Sequence, residues 1–148
     1  MTTHVDPPAA AIDQARRELC QRLTEAIREG ASGIQVRCLR VNQTNTEAWV
    51  YVNCEHEWRK RNDLALSTNL ADILQDQLEH LSTREYADAW TCRRTEHSDR
   101  TDFELKFHRE SIEPHLAGDL ESYLNGLLFL GHHDSGKDAR RRIRFQGW

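Results

Sequence analysis

A chain of 148 residues in which 38% are hydrophobic and 30% charged can close one core, and at that length it needs neither disulfides nor a metal to do so. No apolar run approaches the roughly 20 residues of a membrane helix. The start is polar, with Asp6 where a secretory leader would be basic and then apolar, so a cytoplasmic protein with no membrane contact is expected. The formal charge of -4 is uneven: residues 137–148 hold five positive side chains and one negative, a net of +4, which leaves -8 for everything before them.

In chain order, Asp6-Pro7-Pro8 reads as a helix start, because Asp6 can accept from free amides and Pro7 at the first helical position loses no hydrogen bond. Ile12, Ala15, Leu19, Leu23 and Ile27 then make one stripe, with Arg16, Glu18, Arg22, Glu25 and Arg28 on the wet face. Gly30 or Gly33 can end the helix in the left-handed region. Gly30-Ala31-Ser32-Gly33 also spells the GxxG of a KH loop, but it leads into a strand where that loop joins two helices, so it reads as a stop and turn.

Strands are expected at 34–41 and 47–54, turning through 42–46. The second has Ala48, Val50 and Val52 on one face and Trp49 and Tyr51 on the other, so it is central or one side meets a partner. The stretch 53–63 reads as a loop, the most charged in the body, with Trp58 unsheltered among Arg59, Lys60 and Arg61. A helix over 69–81, capped by Ser67, Thr68 or Asn69, buries Leu70, Ile73, Leu74, Leu78 and Leu81 and turns Asp72, Asp76 and Glu79 outward.

A second hairpin follows at 89–94 and 102–108, with Phe103, Leu105 and Phe107 inward and Glu104, Lys106 and His108 outward. The final helix is expected after Ser111, with Pro114 in its first turn and an end at Gly131. Its Leu116, Ala117, Leu120, Leu124 and Leu127 align with Leu70, Ala71, Leu74, Leu78 and Leu81, so the chain reads as two hairpin-helix units behind a leading helix. The fold class is α+β: a single domain over 7–131 in the order α-ββ-α-ββ-α, with an antiparallel sheet from two hairpins packed against helices. A basic C-terminal tail, 132–148, shows no hydrophobic period.

Chemical motifs are sparse. Gly131-His-His-Asp-Ser-Gly136-Lys137 matches seven positions of a phosphate-binding loop, but Asp138 replaces the magnesium-binding hydroxyl and a helix precedes it where a strand is required. Cys54 and His56 share a side of an extended segment, and Cys92 with His97 could approach them as a zinc set, yet the spacing fits no recurrent zinc motif and thiols on strands are commonly packed. Cys20, Cys38, Cys54 and Cys92 form no CxxC pair and are expected reduced. His56 beside Glu55 or Glu57, and His97 beside Glu96 or Asp99, are adjacent in sequence but point apart on extended chain. No catalytic residue, metal or cofactor is assigned.

These features point to a non-enzymatic protein-binding module, such as an adaptor, inhibitor, immunity protein or chaperone, with partner-binding residues Trp49, Tyr51, Trp58, Arg59 and Arg61. Homodimerisation through Trp49 is one form of it. The alternative is a nucleic-acid-binding or nucleic-acid-mimicking regulator. It would use the tail, where Arg140, Arg141, Arg142 and Arg144 can meet phosphates and Phe145 and Trp148 can stack on bases, or the acidic helix faces. The same tail could instead contact an acidic protein groove or the acidic second helix. A histidine-dependent metal hydrolase ranks last. The helix, hairpin, helix, hairpin, helix order is similar to that of type III secretion chaperones, which are small acidic dimers that hold an effector segment; the likeness is one of element order and involves no sequence motif.

Overall fold

Strand alternation builds the platform on which everything else sits. The computed structural model describes residues 8–41, 46–54, 57–64, 66–84 and 89–130. Five strands, β1 (Gly33–Arg40), β2 (Thr46–Cys54), β3 (Glu57–Lys60), β4 (Trp90–Glu96) and β5 (Arg100–Phe107), form one sheet in the order β3-β2-β1-β5-β4. Every pairing is antiparallel. The two expected hairpins are β1–β2 and β4–β5, and β1 against β5 joins them into the α+β single domain read from the sequence.

Residues two apart on a strand share a face, and here one face is dry. Ile34, Val36, Val50, Phe103 and Leu105 are fully buried under the helices. α1 (Ala9–Arg28) packs on β1, α2 (Ala71–Ser82) on β2 and β4, and α4 (Leu120–Phe129) on α1. Ala15, Leu19, Leu23 and Ile27 of α1 and Leu74, Leu78 and Leu81 of α2 are buried, as their spacing requires. One carboxylate ties the helix layer together: Glu18 of α1 accepts from the Ser67 amide (3.0 Å) and hydroxyl (2.7 Å) just ahead of α2. Burial works to raise the Glu18 pKa, and the Ser67 and Gln14 hydrogen bonds with the Arg22 charge outweigh it, leaving the group below its ordinary value.

The turn out of α1 separates the two glycines. Gly30 takes φ +105° and ends the helix, whereas Gly33 begins β1, where a Cβ would strike the Leu105 carbonyl. At the other end α1 starts at Ala9 with Pro8 as its cap and no side-chain cap bond; the expected Asp6 cap lies outside the described residues.

Three expectations are corrected. The charged stretch 53–63 is not a simple loop: Glu57–Lys60 pair along β2 as an edge strand, so Trp58 stands on a sheet and is half-buried. α2 begins at Ala71, after a 3-10 turn at Thr68–Leu70. The last helix is broken. A four-residue α3 (Arg109–Ile112) and a 3-10 turn at Glu113–His115 precede α4, which starts afresh at Leu120 because Asp119 caps it, accepting from the Ser122 amide (3.0 Å) and hydroxyl (2.7 Å). The alignment of the two helices therefore holds for Leu120, Leu124 and Leu127 but fails at its first two positions: Leu116 is half-buried and Ala117 exposed, whereas Ala71 is fully buried.

Candidate functional site

The second face of the sheet carries no helix among the described residues, and strand register lays its side chains out in levels. One level runs Lys60, Tyr51, Gln35, Glu104, Arg93 across the five strands. On one side of it lie Trp49, Arg37, Asp102 and Thr95, and beyond these Leu39 and Arg100 follow Glu47. On the other side Trp58 pairs with Asn53, and Gly33 at the start of β1 pairs with Lys106. Trp58, Tyr51 and Trp49 thus occupy three consecutive levels at the β2–β3 end.

The two apolar faces of β2, a strand flanked by β3 and β1, have different surroundings. Ala48, Val50 and Val52 pack on the helices, while Trp49 and Tyr51 stay half-buried on the helix-free side, sheltered by cations from neighbouring strands. The Lys60 ammonium lies 3.1 Å from the Trp49 ring centroid, and the Arg37 guanidinium lies 4.7 Å from that of Tyr51. The Trp49 indole donates to Glu47 Oε1 at 3.2 Å, and Arg37 Nη1 donates to the Tyr51 hydroxyl at 3.3 Å.

Asp102 anchors the middle of this surface. It is buried, and three groups converge on it: Arg37 through Nε–Oδ1 at 3.0 Å, Arg100 at 3.4 Å and His97 Nε2 at 3.4 Å. Burial works to lower the Arg37 pKa, and the bonds and charges of Asp102 and Tyr51 outweigh it, so Arg37 stays firmly charged. A buried carboxylate with a forked arginine beside it is a fixed structural unit, since separating the two would leave an uncompensated charge. The carboxylate that His97 meets is thus neither of its sequence neighbours Glu96 and Asp99 but Asp102, one strand away, a pairing that only the β4–β5 register reveals.

The other expected partner-binding residues divide. Arg59 is on the helix side of β3, opposite Trp58 and Lys60, and pairs loosely with Glu57 at 4.0 Å. Arg61 lies just past β3 and is fully engaged, bonding Asp63 (2.6 Å) and Glu29 at the end of α1 (2.7 Å), which raise its pKa against a smaller effect of burial. Its visible role is to tie the β3 edge to the helix layer. The tail residues Arg140, Arg141, Arg142, Arg144, Phe145 and Trp148, and the phosphate-loop-like segment 131–137, lie outside the described residues.

Cys92 and His97 cannot act together. Cys92 faces α2, its thiol donating to the Leu78 carbonyl at 3.9 Å, whereas His97 turns to the helix-free side. Among the described residues no three histidine, cysteine, aspartate or glutamate side chains are grouped to hold a metal, and His56 with the Cys54 side chain lies outside them. Cys20, Cys38 and Cys92 are free thiols, each pushed up to about 12 by burial first and nearby carboxylates second, so they remain protonated. No helix among the described residues is long and apolar enough to cross a membrane. Comparison with protein-family models, with curated proteins and with solved structures found no match, so the geometry of this face stands on its own.

Proposed function

We propose that the chain is a non-enzymatic protein-binding module, of the adaptor, inhibitor, immunity-protein or chaperone kind, that receives its partner on the helix-free face of the sheet. The reading rests on one observation: Trp49, Tyr51 and Trp58 share one face over three consecutive levels, beside a fixed network of arginine and aspartate. Large aromatic rings next to arginine supply most of the binding energy at protein interfaces. A cytoplasmic setting, in which the three described thiols stay reduced, and a homodimer through Trp49 belong to the same reading.

A second reading has its own observation. Arg37, Lys60, Arg93, Arg100 and Lys106 outnumber Glu47, Asp102 and Glu104 on this face, and a cationic sheet with aromatics can stack on single-stranded nucleic acid. Lys60 and Arg37 already hold one ring face each of Trp49 and Tyr51, which favours the protein-binding reading.

Capture from native cytosol by the tagged 148-residue chain is the test. Replacing Trp49 and Trp58 by serine is expected to weaken retention of the captured protein at least about tenfold, the scale of one interface hot spot. Arg59→Ala, on the opposite side of β3, is expected to leave it unchanged. Circular dichroism checks the fold, with Trp58→Ser alone as the milder variant. Retention that ignores the tryptophans, or that depends on Arg59 instead, would overturn the proposal.

A further inference from the structure

Building on the proposed protein-binding role, we infer that the occupant of the helix-free face is an acidic, extended segment of the partner protein, laid across the strands. The charge of the face is the first reason. Among the described strand positions its five cations and three carboxylates make it positive on a chain whose total is -4. The three carboxylates are engaged within the face: Asp102 by Arg37, Arg100 and His97, Glu104 by Arg93 (3.0 Å) and Lys106 (3.8 Å), and Glu47 by the Trp49 indole. What remains outward is cationic. Arg93 and Lys106 keep 75% and 51% of their side chains exposed while touching Glu104.

Register gives the second reason. Lys60 on one edge strand and Arg93 on the other stand on the same level, with Tyr51, Gln35 and Glu104 between them. Four inter-strand steps separate them, about 19 Å at the usual spacing. An extended peptide covers that span in about six residues. Carboxylates at its two ends would meet Lys60 and Arg93, and a central apolar residue would lie against Tyr51 and Trp58. Lys106, level with Gly33, flanks the same track.

The third reason separates this partner from a nucleic acid. Trp49 and Tyr51 have cations seated on their rings, so a base stacking on those two faces would have to displace Lys60 or break the Arg37–Tyr51 contact. A carboxylate needs no displacement, because it approaches the ammonium or guanidinium from the solvent side. A mixed surface with carboxylates held at its centre suits discrete, spaced charges better than a continuous phosphate line.

Binding of the 148-residue chain to a fluorescein-labelled random copolymer of glutamate and tyrosine, followed by anisotropy, is the test; a lysine–tyrosine copolymer and an oligothymidylate are the comparators. The glutamate copolymer is expected to bind, to weaken as salt rises, and to lose at least about tenfold in affinity in the Arg93→Gln/Lys106→Gln variant. Lys60→Gln is the second variant, and Arg59→Gln on the other face is expected to change little. The inference is overturned by absent binding, by affinity indifferent to Arg93, Lys106 and Lys60, or by tighter binding of oligothymidylate. It is equally overturned if light scattering finds twice the 17.3 kDa chain mass and Trp49→Glu halves it, since a second copy would then own the face. Failure here with tryptophan-dependent capture intact removes the acidic occupant and leaves the protein-binding role standing.

Discussion

Glu18 is the residue whose chemistry is most legible in the structure and least legible in the sequence. Its position on the wet side of the α1 stripe foretells a solvated charge, yet it is 8% exposed and accepts two bonds from Ser67, forty-nine residues on. Helical period assigns a face but not which polar side chain a distant loop will come to meet. Because its pKa is lowered on folding, the stability it supplies is present above the ordinary carboxylate value of 4.5 and is lost as pH falls through the lower folded value. Glu18→Gln is therefore expected to lower the urea midpoint at neutral pH, by the equivalent of about 1.5–3 kcal/mol for bonds to a charged group. The gap between variant and parent should close on acidification. A gap that is constant or widens with acid would show that Ser67 does not depend on the ionised carboxylate. Asp102 teaches the same lesson on the sheet, since its partners Arg37 and His97 come from two other segments.

Elements were readable where a period ran long. The α1 stripe, the inward Phe103, Leu105 and Phe107, and the two hairpins all follow from spacing, and the structure has them where the spacing puts them. The misses were short or capped elements. β3 is four residues in a run of charges, too brief to show alternation, and it exists because it pairs with β2. The break before α4 was written in Asp119-Leu-Glu-Ser122, a cap signal hidden inside a leucine repeat that continues through it. The β1–β5 joint, which no local pattern announces, depends on Gly33: any Cβ there meets the Leu105 backbone. Gly33→Ala is expected to cost about 1–3 kcal/mol by thermal or urea unfolding, as overpacking does. Gly118→Ala, with nothing within 4 Å of the added carbon and ordinary backbone, is expected to be neutral or stabilising by up to about 1 kcal/mol. Equal effects at the two glycines would argue against the tight approach of β1 to β5.

At the scale of the molecule, the difference between the two sheet faces is what links the fold to the proposed function. Helices cover the face of Val36, Val50 and Phe103, and that closure supplies the hydrophobic stabilisation of the domain. The opposite face is left to Trp49, Tyr51, Trp58 and the Arg37–Asp102–Arg100 network. Trp49 and Tyr51 were recognisable as surface candidates because they alternate with small apolar residues on a single strand. Trp58 was recognisable only as an odd tryptophan among charges; its place beside them comes from β3. Arg59 and Arg61 looked equivalent to Lys60 in sequence; alternation along β3 puts Arg59 and Lys60 on opposite faces, and Arg61, past the strand, is bound to Glu29 and Asp63.

The most direct measurement is oxidative footprinting of tryptophan by mass spectrometry, on the chain alone and on the complex it captures. Trp90, 1% exposed, serves as the internal reference and should be unreactive in both states. The expected result is that Trp49 and Trp58 react in the free chain and are protected together in the complex. Protection absent from both, with a captured partner present, would place the contact elsewhere on the molecule and contradict a binding role for the helix-free face.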